Sequence, residues 1–278
     1  MHQALPSQDQ ELELLTHAAR EAGRIAMSFF GGSPEIWWKE NDSPVSEGDY
    51  AVDRYLRQML LETRPDYGWV SEESEVEGSI PSTTREDRFF VVDPIDGTRA
   101  YLRGDATWCV SIALVSGNRP LAGAIFAPVF GEMFTVTRSG EARLNGERIF
   151  VPQVGDRPLS VAVPDQFIKP FRRLDADVRG GFSTERGAPS LAYRLCQVAA
   201  QRLDATLIRP RAHDWDIAAG DLLLERAGAA LLDGDGDRLV YGRDARRHGL
   251  LVAASHAAMP RIAALAKAVL REDAVKSP

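Results

Sequence analysis

The stretch FFVVDPIDGT, residues 89–98, largely determines how this sequence is interpreted. Its four leading apolar residues predict a buried strand that delivers Asp93 to its end, and Pro94 with a following glycine predicts a turn of the backbone there. The carboxylates of Asp93 and Asp96 would therefore converge at one end of a strand. Carboxylate oxygens are the hard ligands that Mg²⁺ prefers. The stretch thus predicts a metal site.

The next two residues indicate what lies beside the metal. If Gly97 and Thr98 open a helix, their backbone N–H groups point at a bound anion. A metal next to an anion-binding turn outlines a phosphate site. An Asp-x-x-Asp pair by itself is also typical of turn and N-cap residues, so this interpretation depends on further motifs.

Further polar segments occur at helix starts or after apolar runs. They are Lys39, residues 43–49 (SPVSEGD), residues 71–74 (SEES) and residues 213–220 (HDWDIAAG). In this order, together with residues 89–98, they resemble the Mg²⁺-dependent, lithium-sensitive phosphomonoesterases of the inositol monophosphatase superfamily. The resemblance spans nearly the whole chain, from the first predicted helix to a strand near Leu250.

The composition is that of a soluble globular protein. The chain has 278 residues, 44% of them hydrophobic and 26% charged, and its net charge is -7. An acidic protein lacks the basic field that attracts nucleic acids or anionic membranes, so we expect neither partner. Cys109 and Cys196 lie in apolar surroundings, which predicts buried thiols, no disulfide framework and a reducing, cytoplasmic location. The N-terminus shows no signal-peptide pattern.

The apolar periodicity predicts a mixed α and β chain. A capping box at Ser7 opens a first helix, a second begins near Ser46, and residues 108–149 read as an antiparallel meander. Segments with strand and helix patterns alternate after a predicted boundary at residues 155–158. The resemblance implies a layered α-β-α-β-α sandwich. It also predicts an α+β half, residues 1–155, with most metal ligands, and an α/β half, residues 156–278, with the substrate contacts and one ligand.

The resemblance assigns the metal ligands. It implies that Asp93 bridges two ions, that Glu72 and the carbonyl of Ile95 complete one site, and that Asp96 and Asp216 complete the other. So many anions repel one another unless two or three Mg²⁺ ions neutralise them. Taken singly, Glu72 also fits a surface residue at a strand end, and Asp216 fits a charge at a helix N-terminus.

The same resemblance predicts the catalytic pair. Thr98 is expected to hydrogen-bond a metal-bound water, and Asp49 is expected to accept from the Thr98 hydroxyl, so that the water attacks phosphorus without a phosphoenzyme. Lys39 is expected near the outer-shell waters of a third ion. The simpler interpretations are a helix-dipole charge for Asp49, a helix cap for Thr98 and a surface cation for Lys39.

Two arginines suggest the substrate. Inositol-type members generally carry a Glu at the position of Arg209, and an Arg favours an anion instead. Arg99 adds a second cation, and residues 93–104 (DPIDGTRAYLRG) resemble the 3'(2'),5'-bisphosphate nucleotidases (CysQ-type) more than the inositol enzymes. Guanidinium groups can clamp a second phosphate, so adenosine 3',5'-bisphosphate is the expected substrate. Surface salt bridges are the alternative role for both arginines.

The helix start after Gly187 is the remaining predicted substrate contact. Gly97, Thr98 and Ser190 are expected to line the substrate site, whereas Pro189 replaces a glycine of the family pattern and removes a backbone donor. Pro is tolerated in a first helical turn, so the local fold is expected to persist.

Other functions stay open at this point. Inositol 1-phosphate and histidinol phosphate are alternative substrates, and a non-catalytic, metal-responsive binding protein is the alternative of a different class. The resemblance also implies that the protein binds a small phosphate ester, and it is compatible with a homodimer.

Overall fold

The computed structural model describes residues 5–39, 43–74, 88–152, 155, 157–243 and 246–274. The helices of these residues are α1 (Gln8–Phe29), α2 (Glu47–Thr63), α3 (Thr98–Leu102), α4 (Asp165–Arg173), α5 (Ala176–Gly180), α6 (Leu191–Ala199), α7 (Asp214–Ala227) and α8 (Met259–Ala274).

The strands fall into two sheets and one short hairpin. They are β1 (Ile36–Trp38), β2 (Pro44–Ser46), β3 (Gly68–Ser71), β4 (Arg88–Asp96), β5 (Cys109–Ser116), β6 (Arg119–Ala127), β7 (Glu132–Thr137), β8 (Arg143–Leu144), β9 (Glu147–Arg148), β10 (Leu159–Ala162), β11 (Phe182–Glu185), β12 (Ala205–Ile208), β13 (Ala229–Asp233) and β14 (Leu251–Ser255).

The larger sheet has seven strands in the order β3-β4-β5-β6-β7-β8-β9. Its first pair, β3 and β4, is parallel, and every later neighbour is antiparallel, which confirms the predicted meander. The smaller sheet has the order β11-β10-β12-β14-β13. The hairpin pairs β1 with β2.

The layers follow from which core each helix joins. Helices α1 and α2 bury their apolar faces, including Leu15 and Leu56, against one face of the larger sheet. Helices α6 and α7 lie between the two sheets and share a core with both. Helices α4 and α8 cover the outer face of the smaller sheet through residues such as Phe167 and Leu265. The arrangement is the predicted α-β-α-β-α sandwich.

Local sequence determines where the first two helices start. Ser7 caps α1 and exchanges hydrogen bonds with Gln10, so the predicted capping box is present. Ser46 caps α2 in the same way, with Asp49 as its partner. Both boxes satisfy backbone N–H groups that have no partner within the helix.

Several elements were not predicted from the sequence. In the β1–β2 hairpin, β1 is exposed and carries two tryptophans, whereas β2 is buried, and strands of three residues are too short to show an alternating apolar pattern. Helices α4 and α5 and strand β11 were also missed, because the amphipathic signal of residues 165–185 is interrupted by Pro170 and by Gly180 with Gly181.

The predicted boundary between halves falls in the connection from the larger to the smaller sheet. Gly155 is described there, whereas Asp156 lies outside the described residues. The central core of α6 and α7 contacts both sheets. The division into two domains therefore stays a prediction.

Both cysteines, Cys109 and Cys196, are free and buried, as expected. Over the ranges given above, no helix combines the length and the apolar character needed to span a bilayer.

Candidate active site

Strand β4 brings two carboxylates to one face of the sheet through a bulge. Asp93 pairs with Ser111 and Asp96 pairs with Cys109, so three steps along β4 match two steps along β5. Residues three apart on a regular strand point to opposite faces, and one extra residue returns them to the same face. The strand therefore does not end at Asp93 as predicted but continues to Asp96, and Pro94 is accommodated by the bulge.

A third carboxylate reaches the same place from α7. Single carboxylate oxygens of Asp93, Asp96 and Asp216 all lie within 4.8 Å of one another. The structure thus brings together three of the predicted metal ligands, two from the larger sheet and one from a helix that begins about 120 residues later in the chain.

The start of α6 holds Asp96 in place. Ser190 Oγ donates to Asp96 Oδ2 at 2.6 Å, and the Ala192 amide donates to the same oxygen at 2.5 Å. Gly97 has φ of 96° and caps α3, as predicted for the helix start, and an added Cβ would lie 3.1 Å from the Cβ of Ser190. A glycine at position 97 therefore lets the two helix starts approach each other.

The structure gives Ser190 a contact that the sequence did not predict. The hydroxyl of Ser190 is fully buried and bound to Asp96, so it supports a carboxylate, and Ser190 is not among the residues that line the cavity described below. Pro189 precedes the N-cap residue Ser190, so it lies outside the first helical turn in which it was expected. It does line the cavity described below.

Asp216 is held by the N-terminus of its own helix. The backbone N–H of His213 donates to Asp216 Oδ2 at 2.7 Å. The ring of His213 stacks on Trp215 at 4.5 Å between centroids and accepts from Arg247 Nε at 2.9 Å. These contacts hold His213 in place at the start of α7.

The buried carboxylates repel one another when no cation is bound, and their pKa values are raised. Burial raises the pKa of Asp93 well above its ordinary value, and Glu72, Asp96 and Asp216 raise it further. Burial also raises the pKa of Asp96 to about 6, although hydrogen bonds from Ser190 and Ala192 oppose the shift. Asp93 Oδ1 is buried without a hydrogen-bond partner among the described residues. Such an orphaned oxygen fits a metal ligand.

Glu72 and Lys39 lie beside this group. Lys39 Nζ contacts Glu72 Oε1 at 3.1 Å and Glu73 Oε1 at 3.0 Å. Burial opposes the charge of Lys39, yet the two glutamates raise its pKa overall. Glu72 therefore lies close enough to act on Asp93, but its carboxylate is paired with Lys39 and is not one of the three clustered carboxylates.

Thr98 and Asp49 meet as predicted from the resemblance. Thr98 Oγ1 lies 3.3 Å from Asp49 Oδ1 and 3.1 Å from the carbonyl oxygen of Ile95. Asp49 Oδ2 accepts from the amide and the hydroxyl of Ser46, at 2.8 and 2.5 Å. Asp49 therefore serves both as a charge in the first turn of α2, where it completes the capping box of Ser46, and as the partner of Thr98, so the two interpretations of this residue are compatible.

A cavity of about 520 Å³ opens next to the carboxylates. Asp96 and Asp216 line it together with Arg209, which is exposed. Arg99 does not line this cavity, and its guanidinium lies over the ring of Trp38 at 5.9 Å. The predicted pairing of the two arginines is therefore not observed, because Arg99 lies on the short helix α3 beside the β1–β2 hairpin.

The sequence interpretation also missed residues near the site. Asp214 is fully buried, bonds to His248 Nε2 at 2.7 Å and accepts from the Arg246 amide. It thereby anchors the segment around residue 248 to the start of α7. Arg194 lines the cavity from within α6. A charged residue at an apolar position of a helical pattern was the signal that could have identified Arg194.

The raised pKa values predict how stability depends on pH without metal. Asp49 and Asp96 have an ordinary pKa of 3.8 and a folded-state pKa of about 6. The stability from their protonation is present below the unfolded pKa and is lost as the pH rises through about 6. In EDTA, the melting temperature is expected to fall by several degrees between about pH 5 and pH 7.5, and Mg²⁺ should raise it most at the higher pH.

Thermal melts with and without Mg²⁺ across this range check the prediction. Asp96→Asn removes one of the titrating groups and should flatten the slope in EDTA. A melting temperature that rises with pH in EDTA, or an Mg²⁺ effect that is larger at the lower pH, would contradict it.

The chain is similar over most of its length to known proteins of one family. A model of the inositol monophosphatase family matches residues 7–271. An inositol-1-monophosphatase from Mesorhizobium japonicum is 32% identical over 254 residues, which cover 87% of this chain and 90% of that protein. A histidinol-phosphatase from Chlorobaculum parvum is 27% identical over 261 residues, covering 87% and 96%.

A solved structure gives the same result. The extragenic suppressor protein suhB from Bartonella henselae aligns with a TM-score of 0.79 at 27% sequence identity, covering 93% of this chain and 98% of that one. The family match extends over nearly all of the chain, which also carries the acidic cluster. This chain belongs to the inositol monophosphatase family, whose members are metal-dependent phosphomonoesterases.

Proposed function

We propose that Asp93, Asp96 and Asp216 bind Mg²⁺ and that the chain hydrolyses a small phosphate monoester at this centre. The observation that supports this most strongly is the convergence of three carboxylates within 4.8 Å, with one oxygen of Asp93 buried and without a partner. Burying charges so close together is costly unless a cation compensates them. Glu72 and the carbonyl of Ile95 are proposed as additional ligands, for two or three ions in all.

Mg²⁺ held there would neutralise the phosphoryl oxygens and lower the pKa of a water molecule. Lys39 is proposed to compete for Glu72 when the ion is absent and to act in the outer shell when it is present. Its contacts with Glu72 and Glu73 at 3.1 and 3.0 Å support this role.

Thr98 and Asp49 are proposed to orient the attacking water. When the Thr98 hydroxyl donates to Asp49 Oδ1, its oxygen lone pairs are left to accept a hydrogen bond from water. Asp49 is fixed by two hydrogen bonds from Ser46, so the hydroxyl has a defined partner. This arrangement sets the direction in which the water can attack, which is the geometric part of general base catalysis.

For the substrate we propose adenosine 3',5'-bisphosphate. The supporting observation is Arg209, which lines the same cavity as Asp96 and Asp216 and forms no ion pair with the described residues. Guanidinium groups recognise phosphate through paired hydrogen bonds. Inositol 1-phosphate is the second candidate, because the relative at 32% identity is an inositol-1-monophosphatase. Histidinol phosphate is the third, after the histidinol-phosphatase.

Parallel kinetics on the three esters test this choice. With Mg²⁺, kcat/KM is expected to be highest for the bisphosphate, because only this ester brings a second phosphate to Arg209. We also expect lithium to inhibit turnover. A higher kcat/KM for inositol 1-phosphate would reject the nucleotidase activity and favour the second candidate.

A further inference from the structure

Arg194 occupies a position in α6 where an apolar side chain is expected. Its helical neighbours Leu191, Leu195 and Val198 are buried and belong to the central core. Leu191 and Val198 lie three residues before and four residues after Arg194, so they share its face of the helix, and Leu195 is the next residue along the chain. A charged residue on the buried face of a helix needs a compensating interaction.

No such interaction is made within the described protein. Arg194 Nε is buried and has no hydrogen-bond partner there. No acidic residue of the described ranges forms a salt bridge with Arg194; burial lowers the pKa of its guanidinium, the charge of Asp96 raises it and the like charge of Arg209 lowers it. Buried polar groups without partners are rare, and each one calls for an explanation.

The chain makes room for this side chain. A Cβ added to Gly187 would lie 2.7 Å from Arg194 Cδ and 3.0 Å from Arg194 Nη1. Arg194 therefore packs directly over the Gly187 backbone, and any larger residue at 187 would displace the guanidinium.

The guanidinium borders the cavity that contains the carboxylates. Arg194, Arg209 and Arg211 line it together with Asp96 and Asp216. The carboxylates suit a metal ion, whereas the three arginines suit an anion. A single ligand that satisfies both must carry a phosphate for the metal and a further negative charge for the arginines.

We infer that Arg194, together with Arg209, binds a second anionic group of the phosphate ester and thereby determines substrate specificity. This inference rests on the proposed function of the site. A second phosphate fits best, because it offers several acceptor oxygens to the five donors of a guanidinium. Inositol 1-phosphate presents only hydroxyl groups there, and histidinol phosphate presents an amine, which the arginines repel.

The test uses two ligands that differ only by the second phosphate, adenosine 3',5'-bisphosphate and adenosine 3'-monophosphate. The wild-type ratio of their kcat/KM values is expected to favour the bisphosphate, and Arg194→Met should reduce this ratio at least about tenfold. The kcat/KM for the monophosphate should change less than about threefold. Arg194→Lys keeps the positive charge but loses the paired N–H donors of the guanidinium. It should therefore restore part of the preference for the bisphosphate over the monophosphate.

The matched control is Arg20→Met on the outer face of α1, which is exposed and far from the cavity in the fold. It should leave both kcat/KM values unchanged. Melting temperatures establish that each variant is folded. An equal loss on both ligands in Arg194→Met, or a wild-type enzyme without preference, would overturn the inference.

A binding measurement separates this inference from the proposed function. Calorimetry with Mg²⁺ in the Thr98→Val background, where turnover is slow, should show at least tenfold weaker binding of the bisphosphate when Arg194→Met is added. If the wild-type chain hydrolysed neither ligand, the proposed function would fail, and this comparison would still decide the role of Arg194. Equal affinities with and without Arg194 would refute it.

Discussion

Asp93→Asn is expected to lower Mg²⁺-dependent phosphate release by about a thousandfold or more. Asp93 belongs to the cluster of three carboxylates within 4.8 Å of one another and carries the orphaned oxygen Oδ1. An amide supplies a weaker, neutral ligand, so several kcal/mol of charge stabilisation by the metal would be lost. The measurement is phosphate release at saturating ester over a range of Mg²⁺ concentrations.

The same variant should not unfold the protein. Burial and neighbouring carboxylates raise the pKa of Asp93, so its charge opposes folding when no metal is bound. The melting temperature in EDTA is therefore expected to stay the same or to rise. Asp177→Asn, on the exposed helix α5, is the matched control and should retain full activity. Wild-type turnover by Asp93→Asn would exclude Asp93 as a metal ligand and would favour a metal site elsewhere.

Thr98→Val is expected to lower kcat by about 10²- to 10⁴-fold while leaving Mg²⁺ affinity within about threefold. Valine preserves the shape of the side chain but removes the hydroxyl that contacts Asp49 Oδ1 and the Ile95 carbonyl. Asp49→Asn should produce a loss of the same order, because an amide accepts a hydrogen bond more weakly than a carboxylate. Steady-state kinetics and calorimetric Mg²⁺ titration measure the two quantities separately.

The control for the hydroxyl is Thr63→Val. Thr63 Oγ1 donates to the Met59 carbonyl at the end of α2, a local contact at an exposed site. This variant should keep its full kcat. If Thr98→Val kept normal turnover, the assignment of water orientation to Thr98 would be wrong. If its Mg²⁺ affinity fell in proportion to kcat, Thr98 would act on the metal through Ile95 instead.

Many of the elements and the three carboxylates could be predicted because their signals are local. Capping boxes at Ser7 and Ser46, the apolar run before Asp93 and the polar start of α7 each lie within a few residues. The ordered motifs then identified the fold as a layered sandwich. Their resemblance to a known family, more than any single spacing, placed Asp216 beside Asp93.

The remaining features depend on contacts between distant segments. The sequence shows that Asp93 and Asp96 are three residues apart, but only the pairing of β4 with β5 shows the bulge that turns both to one face. Ser190 was expected to contact substrate, although it is bound to Asp96 across 94 positions of the chain. Arg99 was assigned to the cavity by its position after Thr98, whereas the structure places it over Trp38.

Arg194 was missed for a related reason. The α6 sequence LAYRLCQVA predicts a helix regardless of where its one charged residue points. Its importance becomes visible only when its unpartnered Nε, the space left by Gly187 and the shared cavity are considered together. Substrate contacts are formed by residues from several elements, so local patterns identify them less well than they identify strands and helices.

The most direct test of the central claim is phosphate release by the purified wild-type chain in EDTA and after Mg²⁺ is restored. Adenosine 3',5'-bisphosphate, inositol 1-phosphate and histidinol phosphate serve as parallel substrates. We predict no release in EDTA and recovery with Mg²⁺ for at least one ester, because the clustered carboxylates have no catalytic role without the ion. Release that persists in EDTA, or a folded protein that is inert towards all three esters with Mg²⁺, would contradict the account.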